Sequence, residues 1–282
     1  MSTTTTTTPL GDGPAIAVGS GGSPPGTQRR AFLAILGRDL WVTVHHEPVA
    51  FLAQALLQPL FFLFVFGRVL PEIGAAQGGY GGQLLPGIMA MTAVTVGLQN
   101  TAFPLVIDFS FTKEIEDRLL APLPVWAVGM EKIVHASLRA IVAAALLLPL
   151  GELVLPGGLH FPGAQPLALV LVILAGAIAG ASLGMLLGTA VPPHRINIMF
   201  AIVLTPLLFT GATFYPWASL DDLRWFQVVT LINPLTYVSE GSRASLGASE
   251  HLATWAIAVG VVAAIAIFGT LGLLGFRRRA VD

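Results

Sequence analysis

The sequence predicts an all-α membrane protein whose chain crosses the bilayer six times. Of its 282 residues, 55% are hydrophobic and only 10% are charged, whereas soluble domains carry about 25% charged residues. The mean hydropathy is +0.80. A soluble fold has too little interior for this much apolar surface, and continuous apolar runs favour helices over the alternating strands of a β-barrel.

Composition also excludes several classes of function. The chain contains no cysteine, which excludes disulfide frameworks, zinc–thiolate sites and thiol nucleophiles. Its formal net charge of -1 offers no general basic surface for nucleic acid. We therefore expect membrane lipid, and not nucleic acid, around most of the protein.

The N-terminal segment differs from the rest of the chain. Residues 1–28 contain a threonine run followed by glycine, proline and serine, with few apolar residues. Such a segment buries too little surface to offset the entropy lost on ordering, so we predict a disordered cytoplasmic tail. We expect no signal peptide in it, because no basic region precedes a long apolar stretch.

An interfacial helix is predicted over residues 29–47. Apolar side chains between Phe32 and Leu40 lie three and four residues apart, on one helical face, and arginines occupy other positions. Pro48 follows the segment and ends it. We expect this helix to lie in the membrane interface, before the first span.

Six stretches are long enough to span the membrane. A helix needs about 20 apolar residues to cross about 30 Å of hydrocarbon. The predicted spans cover residues 49–70, 84–107, 127–150, 167–191, 196–215 and 252–276.

The basic residues predict that both termini lie in the cytoplasm, because Lys and Arg are retained on that side. The inner segments then hold Arg29, Arg30, Arg38, Lys113, Arg118, Lys132, Arg195, Arg277, Arg278 and Arg279, and the outer segments hold Arg68, Arg224 and Arg243. Arg139 alone lies deep within a predicted span. It either snorkels to the inner interface or faces a neighbouring helix, and contact with a substrate in a cavity is the alternative.

The inner loop between spans two and three, residues 108–124, is rich in charge. Thr112 is placed to cap a short helix whose first turn holds Glu114, where a carboxylate suits the positive helix end. Glu114 and Arg118 lie four residues apart in the order that favours pairing, and Pro122 ends the helix. A short surface helix and a solvated loop both fit these residues.

Residues 214–243, between spans five and six, predict a re-entrant pair of half-helices on the outer side. The segment carries aromatic rings suited to the headgroup level, and Pro216 and Pro234 interrupt helices. Non-helical backbone is tolerated at depth only where protein buries it. Glu240 and Arg243 lie three apart and are expected to pair, fixing this packing in preference to contacting substrate.

Four segments match, in order, the signatures of one family. Residues 85–89 read Leu-Pro-Gly-Ile-Met, and residues 206–216 contain Pro-Leu-Leu-Phe-Thr-Gly. The inner loop carries Leu119-Leu120-Ala121-Pro122 with a lysine downstream. Residues 231–243 contain Asn-Pro-Leu-x-Tyr-x-x-Glu-x-x-Arg. These segments resemble the ABC-2 type permeases, the group that includes daunorubicin-resistance and nodulation-factor export permeases.

The resemblance implies that residues 29–282 form an ABC-2 type transmembrane domain. In this family the helix between spans two and three lies in a cleft of a separate ATPase and couples its motion to the spans. The coupling residues would be Phe111, Lys113, Glu114, Glu116, Arg118, Leu119, Leu120 and Pro122. The outer motif would be Asn233, Pro234, Tyr237, Glu240 and Arg243.

The resemblance also implies partners and a location. Two ABC ATPase subunits and a second permease, identical or paralogous, would complete an exporter in the bacterial inner membrane. Its substrates would be drugs, lipids, glycans or natural products, and efflux of drugs would confer antibiotic resistance. The chain has no P-loop, because its two lysines lack the glycines that this motif requires. We therefore expect no catalysis, cofactor or metal in this chain, with ATP and Mg bound by the partner.

Two other classes of function remain open at this stage. An ion-coupled secondary carrier would need carboxylates or histidines within its spans. A non-transporting membrane subunit fits the composition but does not predict the motif from Asn233 to Arg243.

Overall fold

The structure is a computed structural model that describes residues 25–46, 48–75, 80–112, 123–155, 159, 161–248 and 250–281. Within these residues every regular element is a helix. The α-helices are α1 (Pro25–His46), α2 (Pro48–Phe64), α3 (Tyr80–Ile107), α4 (Val125–Val154), α5 (Pro166–Ala190), α6 (Ile196–Thr210), α7 (Arg224–Thr230), α8 (Pro234–Ser245) and α9 (Thr254–Val281).

Short helical turns of other types extend some of these helices. A π turn, Val65–Val69, and the residues Leu70–Glu72 continue α2, and a second π turn, Asp108–Thr112, continues α3. A 3₁₀ turn, Pro193–Arg195, precedes α6, and another, Trp217–Leu223, precedes α7.

Among the described residues, six helices are long and apolar enough to cross a membrane, which confirms the predicted number of spans. They cover Pro48–Glu72, Tyr80–Ser110, Val125–Val154, Pro166–Ala190, Pro193–Thr210 and Thr254–Ala280. The fifth ends at Thr210, before the predicted boundary at residue 215, because the chain turns at Gly211 and at Ala212, whose φ is 50°. This left-handed conformation is rare for a residue with a side chain and cannot continue an α-helix.

Helix α3 lies at the centre of the bundle, in contact with α2, α4, α5 and α8. Most of its side chains are buried, including Leu84, Ile88 and Leu98. Glycines of α5 permit a close approach, since a methyl group on Gly180 or Gly184 would overlap backbone atoms of α3. Small residues that bring two backbones together are the common solution for helix packing in lipid.

Helix α1 begins at Pro25, before the predicted start at residue 29, and packs beside α4. The Thr43 hydroxyl lies 3.3 Å from Nε2 of His135 on α4. Trp41, 60% exposed, stacks on His45 with ring centroids 3.5 Å apart. The location of α1 in a membrane interface stays a prediction.

Candidate functional site

The basal end of the bundle is defined here as the end where α3 and α9 finish and α4 begins. In the sequence, the predicted coupling residues come between the end of α3 and the start of α4. The backbone of Phe111 lies in the π turn that continues α3. The other coupling residues lie outside the described residues; they are Lys113, Glu114, Glu116, Arg118, Leu119, Leu120 and Pro122.

A buried ion pair joins the two helices that flank this segment. Nζ of Lys132 on α4 donates to Oδ2 of Asp108 at 2.7 Å. The two side chains are only 9% and 7% exposed. A pair removed from water in this way is stable only while both partners are present. It therefore fixes the end of α3 against the first turns of α4.

Arg279 attaches the end of α9 to two other helices. Its Nη1 donates to the carbonyl oxygens of Gly188 and Thr189 at 3.1 and 3.2 Å. These carbonyl groups belong to the last turn of α5, where carbonyl oxygens have no hydrogen-bond donors within the helix. The partial negative charge at this helix end attracts cations. The guanidinium also lies 4.9 Å from the ring centroid of Phe109, in the π turn.

Phe276 fills the space between the same helices. Its side chain is fully buried, and its ring meets Phe109 edge to face with centroids 5.6 Å apart. The absence of a side chain at Gly129 on α4 leaves room for it, since a Cβ there would lie 3.1 Å from the Phe276 ring. The ends of α3, α4, α5 and α9 thus form one packed cluster.

Arg139 lies on α4, about two helical turns further from the basal end than Lys132. Its guanidinium carbon stands 4.5 Å from the ring centroid of Phe51 on α2. This geometry is a cation–π contact, which is stronger in surroundings with little water. The structure thus places Arg139 against a neighbouring helix, one of the two positions expected for it.

The apical end of the bundle, at the opposite ends of α3 and α9, carries the Asn-Pro motif. Asn233 caps α8: its side-chain oxygen accepts from the amide of Leu235, and Pro234 takes the first helical position. Its Nδ2 donates to the carbonyl of Leu207 on α6 at 2.8 Å. The start of α8 is therefore tied to the end of α6.

Tyr237 makes a similar local contact. Its hydroxyl donates to the carbonyl oxygen of Leu231 at 2.7 Å. Its ring lies against the backbone of Gly260 on α9, where a Cβ would approach the ring closely. Tyr237 therefore holds the turn before α8 and packs α8 against the last span.

Glu240 is the centre of the apical hydrogen-bond network. Its side chain is fully buried and its Oε1 accepts from Nη1 of Arg243 at 2.8 Å. The same oxygen accepts from the amide of Trp217, and Oε2 accepts from the amide of Leu252 at 2.8 Å. One carboxylate thus holds the segments on both sides of α7 and α8.

Arg243 completes this network. It is 3% exposed, and its Nη2 donates to the carbonyl of Thr213 at 2.9 Å. Burial lowers the pKa of its guanidinium, and the Glu240 carboxylate acts in the opposite direction. Gly87 on α3 leaves room for this guanidinium, since a Cβ added at Gly87 would lie 3.1 Å from Nη2. Whether α7 and α8 enter the membrane as a re-entrant pair stays a prediction.

Two features of the basal end were not predicted as a site. Asp108 and Lys132 are separated by 24 residues, and Arg279 lies about 90 residues from its α5 partners. An acidic residue at the end of an apolar run, with a lysine just inside the next run, is the signal that identifies the first pair. No group of three or more His, Cys, Asp or Glu side chains suited to a metal ion occurs among the described residues.

Comparison with known proteins confirms the resemblance. A family model described as "ABC-2 type transporter" matches residues 30–246. A protein named transport permease ycf38 from Cyanophora paradoxa is 28% identical over 222 residues, which are 75% of this chain and 72% of that protein. Its namesake from Porphyra purpurea is 25% identical over 221 residues, 74% and 71% of the two chains. Because the family model spans most of the chain, including both ends of the bundle, this protein belongs to the ABC-2 type transporter family.

Proposed function

We propose that this chain is the permease subunit of an ATP-binding-cassette exporter, which moves a hydrophobic or amphiphilic substrate outward. The observation that carries the proposal is the match to the ABC-2 type transporter family over residues 30–246, which includes the Asp108–Lys132 pair and the apical motif. The six apolar helices suit a path through the membrane. Drugs, lipids, glycans and natural products are the candidate substrates.

The coupling segment, residues 111–124, is the proposed contact with the ATPase. It begins in the π turn of α3 and ends directly before α4, and the Asp108–Lys132 pair joins these two helices. Because the ion pair fixes the helices at both ends of this segment, a displacement of the segment by the ATPase would move α3 and α4. A loosely attached loop would change its own conformation and leave the helices in place. The basal cluster then carries the movement to α5 and α9 through Arg279.

The ATPase is a separate chain in this proposal. Two ATPase subunits bind ATP and Mg, and closure of the pair reorients the spans so that the substrate path opens on the other side. A second permease subunit, identical or paralogous, completes the path. This chain contributes no catalytic group.

The proposed orientation places the basal end in the cytoplasm and the apical end outside. Both termini are then cytoplasmic, in the inner membrane of a bacterium. The arginine-rich end of α9, with Arg277, Arg278 and Arg279, agrees with retention of positive charge inside. Helix α1 lies in the inner interface, and α7 and α8 form the outer re-entrant pair.

The experiment measures ATP hydrolysis and transport after co-expression with a candidate ATPase in vesicles. We expect ATPase activity to depend on the permease, and Glu114→Ala or Arg118→Gln to lower transport while leaving insertion unchanged. Arg224→Gln, which removes a positive charge at the apical end, is the matched control. If the Glu114 and Arg118 variants export at the wild-type rate, the coupling role of this segment is wrong.

A further inference from the structure

A cavity at the apical end lies beside the Glu240–Arg243 network. Its volume is about 540 Å³, which is within the range of small-molecule sites in proteins. It lies between the first turns of α3, the segment that precedes α5, and the end of α8. Three parts of one subunit thus form a space that is large enough for a small organic ligand.

The cavity has a buried floor and an exposed mouth. Pro86, Arg243 and Leu246 line it and are buried, with Arg243 only 3% exposed. Gln83 and Glu250 also line it and are exposed. A ligand that enters from the apical surface therefore passes two polar side chains and reaches a guanidinium at the floor.

The Arg243 guanidinium can donate more hydrogen bonds than it makes. Nη1 donates to Glu240, and Nη2 donates to the carbonyl of Thr213. A guanidinium has five N–H groups, and Nε of Arg243 is buried with no hydrogen-bond partner among the described residues. Because a buried donor without an acceptor costs free energy, an oxygen atom of a ligand at the floor would be stabilised.

The charges around the cavity favour a cation and disfavour an anion. Glu240 already neutralises Arg243, so it would repel a second negative charge at the guanidinium. Glu250 makes no ion pair with any residue that the structure describes. The two carboxylates and one guanidinium sum to a charge of -1, which leaves one negative charge at the mouth without a counter-charge.

We propose that the apical cavity binds an organic cation that also carries an oxygen acceptor. Its ammonium group pairs with Glu250 at the mouth, and its oxygen accepts from Arg243 at the floor. Its apolar body packs against Phe161 and Pro216, which line the cavity between them. Such a site lies within one subunit and goes beyond the proposed function, which assigns no ligand to the apical end.

Procaine and benzocaine test the requirement for a cation. Both are aromatic esters, but only procaine carries a tertiary amine, which is protonated at neutral pH. Equilibrium dialysis against the whole chain in lipid nanodiscs measures their binding, with empty nanodiscs subtracted. We expect saturable binding of procaine and weaker binding of benzocaine.

The variant Glu250→Gln assigns the binding to the cavity. We expect it to weaken procaine about two- to five-fold, as for the loss of a partly exposed ion pair, and to leave benzocaine unchanged. The matched control is Asp222→Asn, which removes the same charge from an exposed position outside the lining and should bind procaine as the wild type does. No saturable procaine binding, or equal affinities in the two variants, would mean that only water enters the cavity and would overturn the proposal.

A second measurement locates the bound ligand by protection of a cysteine, because the chain has none of its own. Ala248 lines the cavity and is exposed, so Ala248→Cys should react with an impermeant maleimide at least about two-fold more slowly when procaine is saturating. Ser219→Cys, outside the lining, should react at an unchanged rate. Equal rates for Ala248→Cys with and without procaine would contradict the site. Neither assay contains an ATPase, so failure here leaves permease-dependent ATP hydrolysis as an independent test of the proposed function.

Discussion

At the level of single residues, two buried ion pairs lie at opposite ends of the part of the permease that the structure describes. Asp108 and Lys132 join two long helices at the basal end, whereas Glu240 and Arg243 hold the turns around α7 and α8 at the apical end. In each pair the two side chains carry opposite charges and both have little access to water, so each neutralises the other. Loss of one partner is therefore more damaging than loss of both.

Replacement of Glu240 by Gln should destabilise the apical end. The variant leaves the Arg243 guanidinium buried without a counter-charge, and such losses cost about 3–5 kcal/mol. The matched control is Glu72→Gln, because Glu72 pairs with Arg68 at 3.2 Å with both side chains largely exposed. An exposed pair contributes less than about 1 kcal/mol. Thermal unfolding in detergent measures both variants, and equal melting temperatures would contradict the role assigned to Glu240.

The basal pair is suited to a double-mutant cycle. Asp108→Asn and Lys132→Met should each destabilise the protein by about 3–5 kcal/mol, because each leaves one buried charge. The double variant removes both charges, and we expect it to recover about 1–3 kcal/mol relative to the sum of the single effects. Chemical unfolding in detergent provides the three free energies. Simple additivity would show that the two groups do not interact.

At the level of helices, the apolar runs predicted where spans occur, because the length and hydropathy of a segment can be read from that segment alone. Which helices pack together depends on residues far apart in the sequence and cannot be read in this way. Arg279 is visible in the sequence as a basic residue near the C-terminus, yet its contacts with Gly188 and Thr189 depend on how α9 packs on α5. The early end of α6 depends on a backbone turn at Ala212 that no residue pattern indicated.

The approach of α5 to α3 gives an element-scale prediction. Gly184→Ala should destabilise the bundle by about 1–3 kcal/mol, because the added methyl overlaps the Leu98 carbonyl and neither backbone can move freely. Gly82→Ala is the control, since a Cβ at Gly82 meets no atom within 4 Å. Alanine is also the better helix former there, by up to about 1 kcal/mol. Size-exclusion profiles after heating distinguish the two variants.

The attachment of α9 gives a second prediction at this scale. Arg279→Gln should lower transport more than ATP hydrolysis, because it releases α9 from the last turn of α5 and from the π turn of α3. Arg278→Gln makes the same charge change on the exposed side of α9. The ratio of substrate moved to ATP hydrolysed, in vesicles, is the measurement. An equal ratio for the two variants would exclude a role of Arg279 in coupling.

At the level of the whole molecule, sequence reasoning identified the family, the number of spans and the Glu240–Arg243 pair. It did not identify the basal pair, since Asp108 was considered only as part of the inner loop and Lys132 only as an inner positive charge. The motif was easier to predict because Asn233 to Arg243 form one helix and its cap, so their spacing reflects their geometry.

Orientation in the membrane is tested by labelling single cysteines in intact cells. Ser219→Cys, in the exposed 3₁₀ turn before α7, should react with an impermeant maleimide from outside. Ala34→Cys, on the exposed side of α1, should react only after the membrane is permeabilised. The reason is the excess of basic residues at the basal end. The opposite pattern would place the coupling segment outside the cell, where no ATP is available.

The central position of α3 has a consequence for biogenesis. A ribosome delivers α3 to the bilayer before α5 and α9 have been synthesised, so its buried Thr92 and Thr101, and the backbone that α5 later covers, first meet lipid. A nascent chain halted between α3 and α5 therefore displays an unfinished surface of the kind that quality-control proteases and insertion chaperones bind. Folding of this permease is therefore completed only when α5 and α9, which are synthesised later, pack around α3.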